Sequence, residues 1–332
     1  MDLPCHEGDA LDRTRGEGEV GDRLLAKLID EASVKLSPRT LTAAREAARQ
    51  QGEQCELRDR LLVLGGPGQG KSTVSQFLAQ LLRSHWLVKQ PSGTVQADAL
   101  AAAKSTIERA EAEGITRTGI DRFPIRVDLP EFADSLAKGQ SNSLLSYVAA
   151  DISKVSDREI DVGTLRIWLA TYPWLLILDG LDEVPRSANR ALVIRKITEF
   201  SDEIFNSQAD VFQVVFTRPQ GYNDDLSKDD YAKLSLSFLG AEDAVRYANA
   251  LALTQIIQET QRVRVINRLL DALKTPATSR LLISPLQVAI MLALLDKKGE
   301  VPTDRWSLFD GYYHVIVDRE RAKPGPVSEI IR

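Results

Sequence analysis

Nine consecutive residues, Gly65 to Thr73 (GGPGQGKST), combine four glycines with a lysine and two hydroxyls. Gly65, Gly70, Lys71 and Ser72 fit the spacing G-x-x-x-x-G-K-[ST], with Gly66, Pro67, Gly68 and Gln69 between them. Glycines let the backbone curl until successive N–H groups point inward, and a helix starting near Lys71 adds its positive dipole end. The chemistry such a loop performs is to grip a polyphosphate. Lys71 is expected to reach the β and γ phosphates, Ser72 to coordinate magnesium through its hydroxyl, and Thr73 to contact the α phosphate.

Two further loci supply charge. In Trp174 to Glu183 (WLLILDGLDE), an apolar run ends in Asp179. An acid there emerges where ligands bind in parallel sheets, which makes Asp179 the expected magnesium partner. Asp182 and Glu183 follow three and four residues later, within reach of an attacking water. At the end of another apolar run, Thr217 is placed to sense the γ phosphate. Arg218 is placed to stabilise charge on the transferring group, and Pro219 turns the chain away.

These residues need elements to position them. Short apolar runs alternate with helical stretches from Leu61 onward, the signature of a parallel sheet with helices on its faces. The expected strands are Leu61 to Leu64, Pro124 to Leu129, Trp174 to Leu178, Val211 to Phe216 and Lys233 to Phe238. Amphipathic helices lie between them. Val74, Phe77, Leu78, Leu81 and Leu82 share one face of a helix, and Val193, Ile197, Phe200 and Ile204 share one face of another. The fold class expected is α/β, a P-loop NTPase sheet of the AAA-like type followed by a small helical domain.

The combination resembles the NACHT family of nucleotide switches, the STAND branch of the AAA-like P-loop ATPases. Its specific signature is Asp179-Gly180-Leu181-Asp182-Glu183, in which a small residue follows the first acid and an acidic pair comes later. The resemblance spans about residues 60 to 320. It implies that the Thr217 strand lies between the other two site strands, and that Pro285 meets the nucleotide from the helical domain. The run Pro302 to Tyr313 is similar to the family's stretch after that helix. The resemblance further implies ATP and ADP with Mg2+ as ligands, slow ATP hydrolysis, self-association of the activated full-length parent, an unknown trigger ligand, and a bacterial defence role. Adenine is expected over guanine because Ser227, Lys228, Asp229 and Asp230 imitate a guanine-reading N-K-x-D segment only loosely. The family's winged helix, its β-phosphate histidine and its sensor repeats are not recognised, and His314 lies too early for that histidine's role. Two alternatives to the switch remain at this point: a nucleotide-holding scaffold without turnover, and a P-loop small-molecule kinase.

Composition narrows the classes. The 332 residues carry a net charge of -5, which gives no basic footprint for nucleic acid. The two cysteines form neither a disulfide framework nor a metal spacing, so a cytoplasmic setting without membrane or export signal is expected. Cys5 and His6 are read as part of a solvated terminus. Residues 1–57 are expected to comprise a disordered start, to residue 22, and a helical linker. Residues 58–238 are expected to form the nucleotide-binding domain, and 239–332 a helical domain truncated before a winged helix. The apolar stretch Leu281 to Leu295 is shorter than the roughly 20 residues a membrane span needs. It reads as a soluble helix with Ser284 as N-cap, Pro285 first, Lys297 and Lys298 in its last turn and Gly299 closing it.

Overall fold

Leucine, isoleucine, valine and aromatic residues dominate the runs around Leu61–Leu64, Trp174–Leu178 and Val211–Phe216, and such strands are stable only when covered on both sides. In the computed structural model, which describes residues 2–8, 22–53, 55–116, 119–156, 158–185, 188–222, 225–226, 230–297 and 301–321, these runs lie at the centre of one seven-stranded sheet. Its strands are β1 (Pro4–Glu7), β2 (Asp22–Arg23), β3 (Arg60–Leu64), β4 (Phe123–Asp128), β5 (Trp174–Asp179), β6 (Val211–Thr217) and β7 (Ala232–Leu236). The spatial order is β2-β1-β7-β3-β6-β5-β4. The five strands β3 to β7 pair in parallel, and β6 lies between β3 and β5. This is an α/β fold, a mostly parallel sheet with flanking helices.

The sheet unit comprises the described residues among 2–66 and 71–237. Its helices are α1 (Leu24–Ala32), α2 (Pro38–Gln51), α3 (Lys71–Val88), α4 (Ala97–Ala112), α5 (Leu129–Ala137), α6 (Leu144–Val155), α7 (Val162–Thr171) and α8 (Ala188–Ser207). Leu62, Leu64, Ile125, Val127, Leu176, Leu178 and Val215 form one face of the sheet, and their core is completed by Phe132, Val148, Leu165, Val193, Ile197 and Phe200. Because side chains alternate along a strand, Arg126 between Ile125 and Val127 points to the opposite face, where α3 contacts β4 and β5.

Among the described residues, the second unit comprises 67–70, 238–297 and 301–321. It contains α9 (Ala241–Gln255), α10 (Glu259–Leu273), α11 (Pro276–Ser279), α12 (Pro285–Lys297) and α13 (Arg305–Arg321). α12 is buried nearly all round and packs against α9, α10 and α13. Small buried residues, Ala244, Ala248 and Ala252, line α9 where it packs on α10 and α12. Ser284 caps α12 by accepting the Gln287 amide at 3.4 Å, and Lys297 lies in the last turn. Lys298 and Gly299 fall outside the described residues. Among the described residues, no helix is long and apolar enough to cross a membrane.

The polar start departs from expectation. Pro4–Glu7 adds to the sheet as β1, antiparallel to β7, and Cys5 and His6 are buried there instead of solvated. Two local devices explain it. The Asp2 carboxylate accepts the amides of Leu3, Leu25 and Ala26 at 2.8, 2.7 and 2.9 Å, which holds the chain over the first turn of α1. Farther on, buried Arg122 donates to the Ala32 carbonyl at 2.8 Å and pairs with Asp210 at 2.8 Å, while Asp210 also accepts the Leu36 amide. The segment after α1 is thereby tied to the sheet. β4 also stops at Asp128, one residue short of expectation, because Asp128 caps α5 through the Glu131 amide and Leu129 already belongs to that helix.

Candidate functional site

Register brings the three loci to one sheet edge. Leu64, the last residue of β3, stands level with Thr217, the last of β6, and the Gly65 amide donates to the Thr217 carbonyl at 3.1 Å. On the other side of β6, Leu178 is level with Val215, so Asp179 ends β5 at the same edge. The loop then turns through Gly68 and Gly70 at φ +73° and +87°, a left-handed backbone that side-chain-bearing residues resist. α3 starts at Lys71, which places Ser72 and Thr73, both exposed, in its first turn with free amides nearby. Gln69 is buried and Pro67 exposed.

Lys71 folds back on its own loop. Its Nζ donates to the carbonyls of Gly65 at 2.7 Å and Gly66 at 3.3 Å. Partial burial holds the Lys71 pKa below the ordinary amine value, and Asp182 is the foremost carboxylate pulling the other way. A part-buried ammonium whose hydrogen bonds go to backbone carbonyls can exchange them for an anion.

Asp179 is 2% exposed and its two oxygens are in different situations. Oδ2 accepts from Ser75 Oγ at 2.7 Å and from Arg126 Nη2 at 2.7 Å. Oδ1 is buried with no hydrogen-bond partner. Leaving a buried carboxylate oxygen bare costs free energy comparable to a lost hydrogen bond, so this atom is suited to a cation or its water. Arg126 Nε also donates to Ser75 Oγ at 3.1 Å, which closes a triangle of Ser75, Arg126 and Asp179. Sequence reading missed Ser75 and Arg126. The signals existed: an arginine inside the apolar run FPIRVD needs a buried partner, and Ser75 lies one turn after Lys71 on α3.

Beyond Asp179 the chain makes a left-handed step at Gly180, φ +83°, where a Cβ would also sit 3.2 Å from Pro130 Cδ. Leu181–Glu183 then form one 3-10 turn that presents Asp182 and Glu183 toward Arg218. Asp182 Oδ1 accepts the Arg218 backbone amide at 3.0 Å, and its Oδ2 lies 2.9 Å from Arg218 Nε. Arg218 Nη2 reaches Glu183 at 3.3 Å. The Asp182 side chain is 6% exposed and that of Glu183 57%. Thr217, fully buried, has an Oγ1 without a partner.

The remaining expected site residues sit as follows. Pro285 is buried as the first residue of α12, and the next amide, Leu286, donates to the Gly68 carbonyl at 3.2 Å within the same unit. His314 is exposed and lies 3.7 Å from Asp310, a surface pair. Ser227, Lys228 and Asp229 lie outside the described residues. Among the described residues, no group of three or more His, Cys, Asp or Glu forms a protein-only metal cage.

No protein-family model matches the chain. No curated protein matches it. Among solved structures it is similar to a replication initiator DnaA bound to AMPPCP and single-stranded DNA, with a TM-score of 0.36 and 13% identity over 88% of this chain and 68% of that one.

Proposed function

We propose that this chain binds ATP and hydrolyses it slowly, as the switch module of a NACHT-type STAND signalling protein. The observation that carries the reading is the bare, buried Asp179 Oδ1 at the same sheet edge as the Gly65–Lys71 loop. A phosphate-gripping loop beside an acceptor that lacks a partner fits a magnesium-bearing polyphosphate.

In this reading the amides of Gly66 to Lys71 cradle the phosphates, and Lys71 leaves the Gly65 carbonyl for the β and γ oxygens. Asp179 Oδ1 and the Ser72 hydroxyl hold magnesium, which when bound supplies charge that offsets the phosphates. Glu183, the more exposed of the acidic pair, orients the attacking water. Asp182 instead fixes Arg218, which faces developing charge on the transferred group. Thr217 Oγ1 donates to the γ phosphate or to that water.

Membership of the NACHT branch is supported by Gly180. Its left-handed φ favours glycine after Asp179, and the turn it makes separates the metal acid from the pair three positions on. A defence role, self-association of a longer activated parent and a trigger ligand come with that branch. The test is phosphate release from ATP by the purified chain against a Glu183→Gln control. Turnover lost in the variant supports the switch. A tightly held nucleotide with no release above that control favours a scaffold instead.

A further inference from the structure

We propose that Ser75 and Arg126 make Asp179 a one-oxygen ligand and thereby select magnesium over calcium at the nucleotide site. The inference rests on the reading of Asp179 as the metal acid. Two strong donors converge on Oδ2: the Ser75 hydroxyl at 2.7 Å and the Arg126 guanidinium at 2.7 Å. The Ser75 proton is shared between Oδ2 and the Ser72 carbonyl at 3.0 Å, while its oxygen accepts from Arg126 Nε. Oδ1 has none of these partners. Both donors are held by regular elements, Ser75 fully buried on α3 and Arg126 within β4, so Oδ2 stays occupied while Oδ1 is offered.

That asymmetry discriminates between ions. Magnesium takes near-ideal octahedral geometry at about 2.0–2.1 Å, for which a single carboxylate oxygen is the natural donation. Calcium gathers about six to eight oxygens at longer range and gains from carboxylates that chelate through both. An Asp179 whose second oxygen is engaged by a guanidinium withholds the chelating mode, and the positive charge of Arg126 lowers the pull on any cation that would crowd in from that side. A carboxylate free at both oxygens lacks this bias.

The test is calorimetric binding of a non-hydrolysable ATP analogue in magnesium and in calcium, for the wild type, Arg126→Gln and Ser75→Ala, with circular dichroism confirming folding. The wild type is expected to bind more tightly with magnesium. Arg126→Gln should shift the magnesium-to-calcium preference toward calcium by about tenfold, and Ser75→Ala, which removes one of the two donors at little change in volume, by a smaller factor in the same direction. If both variants fold and keep the wild-type preference, the inference is overturned. If wild-type binding is indifferent to either cation, the underlying reading of Asp179 fails first.

Discussion

Asp182 holds Arg218 at two points, accepting its backbone amide at 3.0 Å through Oδ1 and lying 2.9 Å from its Nε through Oδ2. Glu183 touches the same arginine once, at 3.3 Å, and stays largely exposed. The two acids are therefore unequal. The inner one is committed to placing Arg218, and the outer one is free to move.

Glu183→Gln is expected to slow hydrolysis about a hundredfold while leaving nucleotide affinity and folding stability near wild type. Asp182→Asn should lower stability by about 1 kcal/mol, a figure discounted for the exposure of Arg218, and should lose turnover as well. Single-turnover phosphate release and urea melts on both variants check the division. A Glu183→Gln variant as active as wild type would show that Asp182 handles the water.

Gly180→Ala forces a side chain onto a backbone at φ +83° and brings a methyl against Pro130. A cost of about 1–2 kcal/mol follows from the left-handed conformation alone. Because the turn it makes aims Asp182 and Glu183, hydrolysis should fall more steeply than affinity. Denaturant melts with kinetics test both halves, and an alanine variant of unchanged stability would mean that the turn relaxes without strain.

Lys71→Met should make the nucleotide-free protein more heat-resistant, by about 1–3 °C, because burial disfavours the charged amine. The sign of the pH dependence follows from the lowered folded-state pKa. Between that value and the ordinary 10.5, the unfolded chain binds more protons than the folded one, so wild-type stability rises with pH across that window. The gap between the two proteins should thus narrow as pH rises toward 10.5 and be fully present below the folded pKa. Scanning fluorimetry across the alkaline range reads it, and a gap that widens would contradict the burial argument.

Much of the fold was legible because the apolar runs leave so few options. WLLILD and VFQVVFT are almost wholly apolar, so they had to be central strands, and they are β5 and β6. The loop glycines and the Asp179 position were readable from spacing for the same reason. What escaped depended on long-range pairing. PCHE has too few apolar residues to announce a strand, and only the partner β7 and the Asp2 cap over α1 make it one. Arg126 was hidden in the same way: a charged residue in a strand indicates a partner without naming it, and Asp179 lies 53 residues away in sequence.

Asp179→Asn keeps the shape of the side chain and removes its charge. Magnesium should then no longer strengthen nucleotide binding, a loss of about ten- to a hundredfold in affinity. Titrations with and without magnesium decide the point, and an undiminished magnesium effect in the variant would move the metal to other residues.

The most direct test of the account is calorimetric titration of magnesium-ATP into the wild type and Lys71→Ala. The account predicts one site per wild-type chain and a loss of at least about a hundredfold in the variant, since the charge bridging the terminal phosphates is gone. Binding by Lys71→Ala as tight as wild type, or no binding by the wild type, would contradict it.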